Sequence, residues 1–372
     1  MFPRAYIVAA VLAAPLLLDA APAAAQSDIL LRLRSGSPAG DRVRVDSAGG
    51  FVAMGTLGIG IIPATGCGYR MMWYPFRGAF RAGTTDDGGA CTYWDDANIG
   101  FYSWAGGNLS RATGFASFAF GDQVTVTGTD GAAFGGSNTV SGTVGFAAGA
   151  NHNCSGFACV TLGYNNTATG QGSTAIGYRT TADANYATAI GYRASVNGRT
   201  GAFVISDAST TDSTEASANN QFRARFAGGY RFYTNSSQTV GVSLAASGNA
   251  WASISDRNRK ENIEWLDGED VLSRLRHVPV GEWNYIDSET DARNIGPMAQ
   301  DWHAAFPLND DTLSINQADF AGVNLAGIRA LEMRTTEQAA RIRTLEADQA
   351  RQAAEIAELR ELLRALTEAR RP

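Results

Sequence analysis

Gly156-Phe-Ala-Cys-Val-Thr-Leu-Gly-Tyr-Asn-Asn-Thr-Ala-Thr169, Gly170-Gln-Gly-Ser-Thr-Ala-Ile-Gly-Tyr-Arg-Thr-Thr-Ala-Asp183 and Ala184-Asn-Tyr-Ala-Thr-Ala-Ile-Gly-Tyr-Arg-Ala-Ser-Val-Asn197 are successive rows of one 14-residue repeat. The repeat runs back without gaps to Gly100, giving seven rows that start at Gly100, Gly114, Gly128, Gly142, Gly156, Gly170 and Ala184. The eighth position is glycine in every row, from Gly107 to Gly191. The sixth is alanine except at Thr161. A period kept this strictly is the signature of a solenoid. Glycine at two fixed positions admits backbone turns that other residues resist. Between the turns, the fourth, sixth, eleventh and thirteenth positions alternate as an inward strand face does. They carry small residues, among them Ser103 and Ala105, Ser117 and Ala119, Val124 and Val126, and Ser173 and Ala175. A coil this short has room for little else. Stacked at ~4.8 Å per row, the repeats predict a rod about 34 Å long.

Upstream, residues 1–25 read as a signal peptide. Arg4 supplies the positive start, Ala5 to Leu18 an apolar stretch too short to span a bilayer, and Ala23-Ala24-Ala25 a small-residue cleavage site. Pro15 and Pro22 argue against a buried helix. Export, to a secreted or cell-surface location, opens disulfide chemistry to the four cysteines. Cys67 with Cys91 and Cys154 with Cys159 are the pairings suggested by proximity along the chain. Cys154 holds a thirteenth position and Cys159 the fourth of the next row, so both should point inward, as a staple between coils or as a buried reduced pair. A metal site is disfavoured, because there is no CxxC pair and His152, His277 and His303 are scattered. No cofactor is expected. The net charge of −6 gives no basic footprint for nucleic acid.

Residues 26–99 read as short strands and turns, with Arg42 to Val45 alternating and Ala48-Gly49-Gly50 turning. Met71-Met72-Trp73-Tyr74-Pro75 and Trp94 predict a cap on the first coil, since a solenoid end is an open edge. An aromatic sugar-binding surface on Trp73, Tyr74 and Trp94 is the sharper alternative. Residues 198–254 lose the repeat and read as neck and linker, with Phe222 to Phe226 and Tyr230 to Tyr233 alternating as strands. Residues 327–372 carry heptads. Ile328, Thr335, Ile342, Gln349, Ile356 and Leu363 fall at one position, and Leu331, Gln338, Leu345, Gln352, Leu359 and Leu366 three residues later. This predicts a coiled coil whose Ile/Leu choice favours two strands on the simple rule, blurred by the glutamine layers.

The rows, as in Gly170 to Gly177 and Asn185 to Gly191, closely resemble the head repeats of trimeric autotransporter adhesins. The resemblance covers residues 100–197. It implies a left-handed parallel β-roll, three chains side by side and a surface-exposed adhesive role toward a host-surface or glycan receptor. Those adhesins end in membrane-inserting strands, whereas this chain ends at Arg370-Arg371-Pro372, so no integral membrane anchor is expected.

Residues 255–326 lie between neck and coiled coil and open with Ser255-Asp256-Arg257-Asn258-Arg259-Lys260-Glu261-Asn262-Ile263. Read blandly, Ser255 or Asp256 caps a short helix and Lys260 is a solvated charge. Yet lysine and arginine together number 30, and Lys260 is the single lysine. Lysine can lose its proton and act as a base, which arginine does not. Burial and the like charges of Arg257 and Arg259 would lower its pKa. With Trp283-Asn284-Tyr285, Gly296, Met298-Ala299-Gln300 and Phe306-Pro307, the segment resembles the C-terminal intramolecular chaperone domain of phage tail spikes and endosialidases, a self-cleaving serine peptidase family. Arg259 and Pro297 depart from that pattern. The resemblance implies a domain that trimerises, guides assembly of the fibre and then cuts itself away between Ile254 and Ser255, with Ser255 and Lys260 as a catalytic dyad used once.

The expected fold is therefore mainly β: a narrow parallel β-roll solenoid, a β neck, a small α+β chaperone domain and a C-terminal trimeric coiled coil. The expected function is that of a secreted homotrimeric adhesin-like fibre with a self-removing assembly domain and no activity on external substrates. The alternative is a phage tail fibre or spike, a receptor-binding protein with the same chaperone domain. A polysaccharide depolymerase would want paired carboxylates, and the acids of the rows, Asp122, Asp130 and Asp183, are unpaired.

Overall fold

The computed structural model describes residues 29–35, 40–286 and 290–370. Residues 1–25, read as a signal peptide with an expected cleavage point after Ala25, and Arg371 and Pro372 lie outside the described residues. The chain divides into two compact units after Gly228.

In the first unit each row folds into a five-residue strand and a two-residue strand, such as Thr174–Tyr178 and Thr181–Ala182. The longer strands stack parallel and in register, so Ala105, Ala119, Ala133, Ala147, Thr161, Ala175 and Ala189 form one column. The shorter strands make a second parallel sheet. All four inward positions of all seven rows are buried.

The two glycine positions answer different demands. At the eighth, φ is positive, between 93° and 140°. A Cβ on Gly121 would also sit 1.9 Å from the Gly135 carbonyl oxygen. At the first, the problem is spacing and not a turn: a Cβ on Gly142 would meet the Gly156 oxygen at 1.9 Å. Ala184, the one exception, falls in the last row. There Thr188 pairs with Phe203, 15 residues on, and the strict step ends.

The roll does not stop at Asn197. Phe203–Ser206 and Phe222–Arg225 add two further strands to the long sheet, and Thr214–Glu215 extends the short one. Val204, Ala202 and Ala216 fill the interior as the alanines do before them. Residues 203–225, read from sequence as the start of the neck, are thus coils joined by longer loops.

The eleventh position holds a polar ladder through Asn138, His152 and Asn166. Asn138 Oδ1 accepts the His152 backbone N–H at 3.0 Å, and Asn166 Oδ1 accepts that of Thr180 at 2.8 Å. His152 Nδ1 accepts the Asn166 N–H at 3.2 Å, so Nε2 carries the ring proton and donates to the Ala148 carbonyl at 3.1 Å. Burial holds the imidazole below its ordinary pKa, against smaller opposing effects of its backbone hydrogen bonds. Two positions on, buried Cys154 is disulfide-bonded to buried Cys159 across adjacent rows.

The first coil is closed by the hairpin Tyr69–Tyr74 and Ala79–Thr84, whose second strand runs parallel to Trp104–Asn108. Arg81 stands opposite Ala105 and is fully buried. Its Nη1 donates to the Phe80 and Ser103 carbonyls, and its Nη2 to Ser103 Oγ and the Ala112 carbonyl. Desolvation brings its pKa down to about 9. Trp94 Nε1 donates to the Ser110 carbonyl at 2.8 Å. Trp94 and Tyr74 are buried, so they plug the end and offer no sugar platform. Cys91, disulfide-bonded to Cys67, ties down the loop before Trp94. Ahead of the cap, Ile29–Ser35, Gly40–Asp46 and Phe51–Ala53 form a small antiparallel sheet.

The second unit begins with an antiparallel sheet of Gly229–Tyr233, Gly241–Ala245 and Ala252–Ser253. Helices α1 (Gly268–Leu275), α2 (Ala299–Ala305) and α3 (Gln317–Ala369) follow. Val271, Trp302, Phe306 and Val323 make its core, with the Trp302 ring 4.9 Å from Phe306 and 5.0 Å from Phe320. Helix α3 starts ten residues before Gly327, and its first turns pack on α1. A Cβ on Gly327 would lie 3.0 Å from Leu275 Cδ1. Beyond Ala330 the helix has no buried residue, and Ile342, Leu345, Ile356, Leu359, Leu363 and Leu366 all face solvent in the single chain. No described helix is long and apolar enough to cross a membrane.

Candidate functional site

The segment around Ser255 is built outward from the neck sheet. Ser253 pairs with Val242, and the next residue, Ile254, donates its N–H to the Gly241 carbonyl at 3.2 Å. The chain is therefore anchored up to the residue before Ser255. Gly241 is itself forced by close approach, since a Cβ there would lie 2.0 Å from the Phe232 carbonyl oxygen.

After Ser255 the chain folds into a single 3-10 turn, Arg257–Arg259, with Asp256 as N-cap accepting the Asn258 N–H at 2.9 Å. The turn carries Lys260 back until its Nζ donates to Ser255 Oγ at 2.8 Å. The two residues singled out from the sequence are thus in direct contact. Ser255 and Lys260 are both exposed in the single chain. In this state the ammonium is the donor. A base would be the same pair with the proton shifted, and moving it requires that the lysine lose water. The described residues of one protomer do not supply the desolvation expected from the sequence.

The other motif residues gather elsewhere in the unit. Trp283, Tyr285, Met298 and Gln300 line one open groove of about 850 Å³ with Ile286 and Leu313. The Trp283 and Tyr285 rings meet edge to face at 4.9 Å. Two contributors to the Ser255 segment are not evident from the motif: the Gly241 carbonyl that holds Ile254, and the side-chain cap from Asp256. The first has a faint sequence signal in the strand pattern of Gly241 to Ala245. The second is the bland reading of Asp256, which coexists with the Lys260–Ser255 contact instead of excluding it.

Among the described residues one group, Cys67, Asp86 and Cys91, has metal-ligand proximity, and both of its sulfurs are committed to a disulfide.

Residues 255–309 match the family model described as chaperone of endosialidase, and residues 162–194 match two copies of the YadA head domain repeat. The first match begins at Ser255. No curated protein matches the chain. The chain thus joins adhesin-type head repeats, folded as a parallel β-solenoid, to an endosialidase-type chaperone segment.

Proposed function

We propose that this chain is an exported, trimeric, adhesin-like fibre whose C-terminal domain drives assembly and then removes itself by one cut between Ile254 and Ser255. The observation that carries this reading is the 2.8 Å contact of Lys260 with Ser255, directly after an anchored strand. Ser255 Oγ adds to the Ile254 carbonyl carbon while its proton passes to the neutral Lys260 amine. The Ile254–Ser255 C–N bond breaks, and the lysine's proton goes to the departing Ser255 nitrogen. Water hydrolyses the remaining ester, leaving the Ile254 carboxylate and Ser255 with a free amine.

Two exposed surfaces support the assembly step. The heptad stripe of α3 is apolar and uncovered. The outer face of the long sheet carries a column of rings, with Phe80 and Trp104 5.1 Å apart and Phe118 and Phe134 5.0 Å apart. Three copies would cover both. Packing near Lys260 would desolvate it, so that cleavage follows assembly. A tail fibre is the second reading, favoured by the chaperone match alone; the head-repeat match favours the adhesin.

The test is the intact mass and oligomeric size of the secreted product. The expected species are a trimer of residues 26–254 and a fragment starting at Ser255. Ser255→Ala and Lys260→Arg are each expected to leave the full-length chain, and Ser253→Ala to cut. Normal cleavage in Lys260→Arg would sink the mechanism.

A further inference from the structure

Ser255 and Lys260 stand five residues apart, a distance that an extended chain stretches to roughly 17 Å. Their 2.8 Å contact exists because the chain folds back between them. The fold-back is the one 3-10 turn Arg257–Arg259, and every residue in it is exposed. Packing in the protomer therefore does not hold it. Its backbone bonds are Arg259 N–H to the Asp256 carbonyl at 3.1 Å and Lys260 N–H to the Arg257 carbonyl at 3.2 Å. The remaining bond is the cap, from the Asn258 N–H to Asp256 Oδ1 at 2.9 Å. A lone turn of this kind is marginal in water, so a cap supplies a large share of its persistence.

The second carboxylate oxygen has its own partner. Asp256 Oδ2 faces Arg259 Nε at 3.6 Å. One carboxylate oxygen is thus on the Asn258 amide and the other faces Arg259. Among the described residues Lys260 makes no ion pair, and its bond is to the serine. Arg259, which departs from the family pattern, thus pairs with the acid that caps the turn.

We propose that Asp256 is a positioning residue for the cut: as N-cap of the turn it places Lys260 on Ser255. This rests on the self-cleavage reading above and adds to it a residue that does not touch the scissile bond.

The test follows release of the Ser255–Pro372 fragment by mass after refolding of the full chain, with trimer content recorded in parallel. Asp256→Ala is expected to slow release about fivefold, the population change for loss of a cap of ordinary strength. Asp256→Asn and Asp256→Ser, both good caps without charge, are expected to stay within about twofold of wild type. An unchanged rate in Asp256→Ala overturns the proposal. So do Asn and Ser variants as slow as Ala, which would assign the effect to charge. A second readout avoids cleavage altogether. In a Ser255→Ala background, hydrogen exchange at the Asn258 amide should quicken with Asp256→Ala and be restored by Asn, and no change there also overturns the proposal. A wild-type trimer that stays intact while the exchange pattern holds ends the cleavage reading and leaves the cap as structure alone.

Discussion

The roll and the C-terminal unit solve the problem of a small interior in opposite ways. In the roll, every coil finds its hydrogen-bond partners and its packing in the next coil of the same chain, and the interior is closed by residues as small as Ala175 and Ala189. In the C-terminal unit the core rests on Val271, Trp302, Phe306 and Val323, while the heptad side chains of α3 stay in solvent. One region is completed along the chain, and the other leaves an apolar stripe uncovered in the single chain. A thin coil is stabilised by neighbours already tethered to it. A lone helix gains most of its stability from packing its apolar face. The division would suit the proposed fibre with a removable assembler: the part that would stay packs on itself, and the part that would leave carries the uncovered apolar stripe.

The largest expected effect tests that division directly. Deleting 327–372 should abolish most soluble trimer, read by size-exclusion chromatography with mass detection, because the exposed stripe goes with it. Normal trimer from the truncated chain would mean that the roll and neck assemble unaided.

Next come substitutions inside the roll. Ala175→Leu should overpack the coil and cost about 1–3 kcal/mol, read as a loss of melting temperature, whereas the half-buried outward Thr188→Ala should stay within about 0.5 kcal/mol. Equal small losses would mean that the inward face is misassigned. Gly142→Ala should be damaging as well, since its Cβ would meet backbone. Ala184→Gly, at the same row position, should cost only a few tenths of a kcal/mol by comparison.

A subtler break point is His152. Its folded pKa lies below the ordinary value of 6.5, because the buried ring is held neutral with Nδ1 accepting. The unfolded chain therefore takes up the proton first, and stability is lost as pH falls through the ordinary histidine range. The ring's hydrogen-bond partners are backbone groups of Ala148, Asn166 and Gly163, none of which titrates. The melting temperature should drop between pH 7 and pH 5 in wild type and drop less in His152→Asn, which restores the ladder's own residue. The smallest effect is expected at Arg259→Ala. Its half-exposed pair with Asp256 contributes little, and cleavage should change by no more than about twofold.

What the sequence makes legible follows from the same contrast. The seven rows can be aligned by eye because a narrow interior leaves each inward position few residues to choose from. The two later coils escape that alignment because their loops lengthen by one and then five residues, so the strands keep their place while the period does not. Arg81 is harder still. Phe80 to Thr84 lies in register with Trp104 to Asn108, and Gly83 matches the eighth-position glycine with φ of 138°, but one partial row set off by an irregular gap gives no period to detect. The His152 column becomes visible once the rows are written one above the other, where it stands between Asn138 and Asn166. At the segment around Ser255, the chain alone suggests Ser255 with Lys260. The turn and the anchored strand that bring them together depend on hydrogen bonds that no motif records.

The buried plug at Arg81 and Trp94 bears on how such a protein changes over generations. A rod whose first coil is sealed by dedicated side chains cannot be lengthened at that end without rebuilding the seal. Its middle carries no such constraint. Each row passes the same register to its successor, so duplicating one row, such as 170–183, would move everything beyond it outward by ~4.8 Å and leave both ends as they were. Reach then becomes a quantity counted in whole rows, adjustable by recombination between near-identical segments. The length of the roll can be tuned in this way without altering the seal.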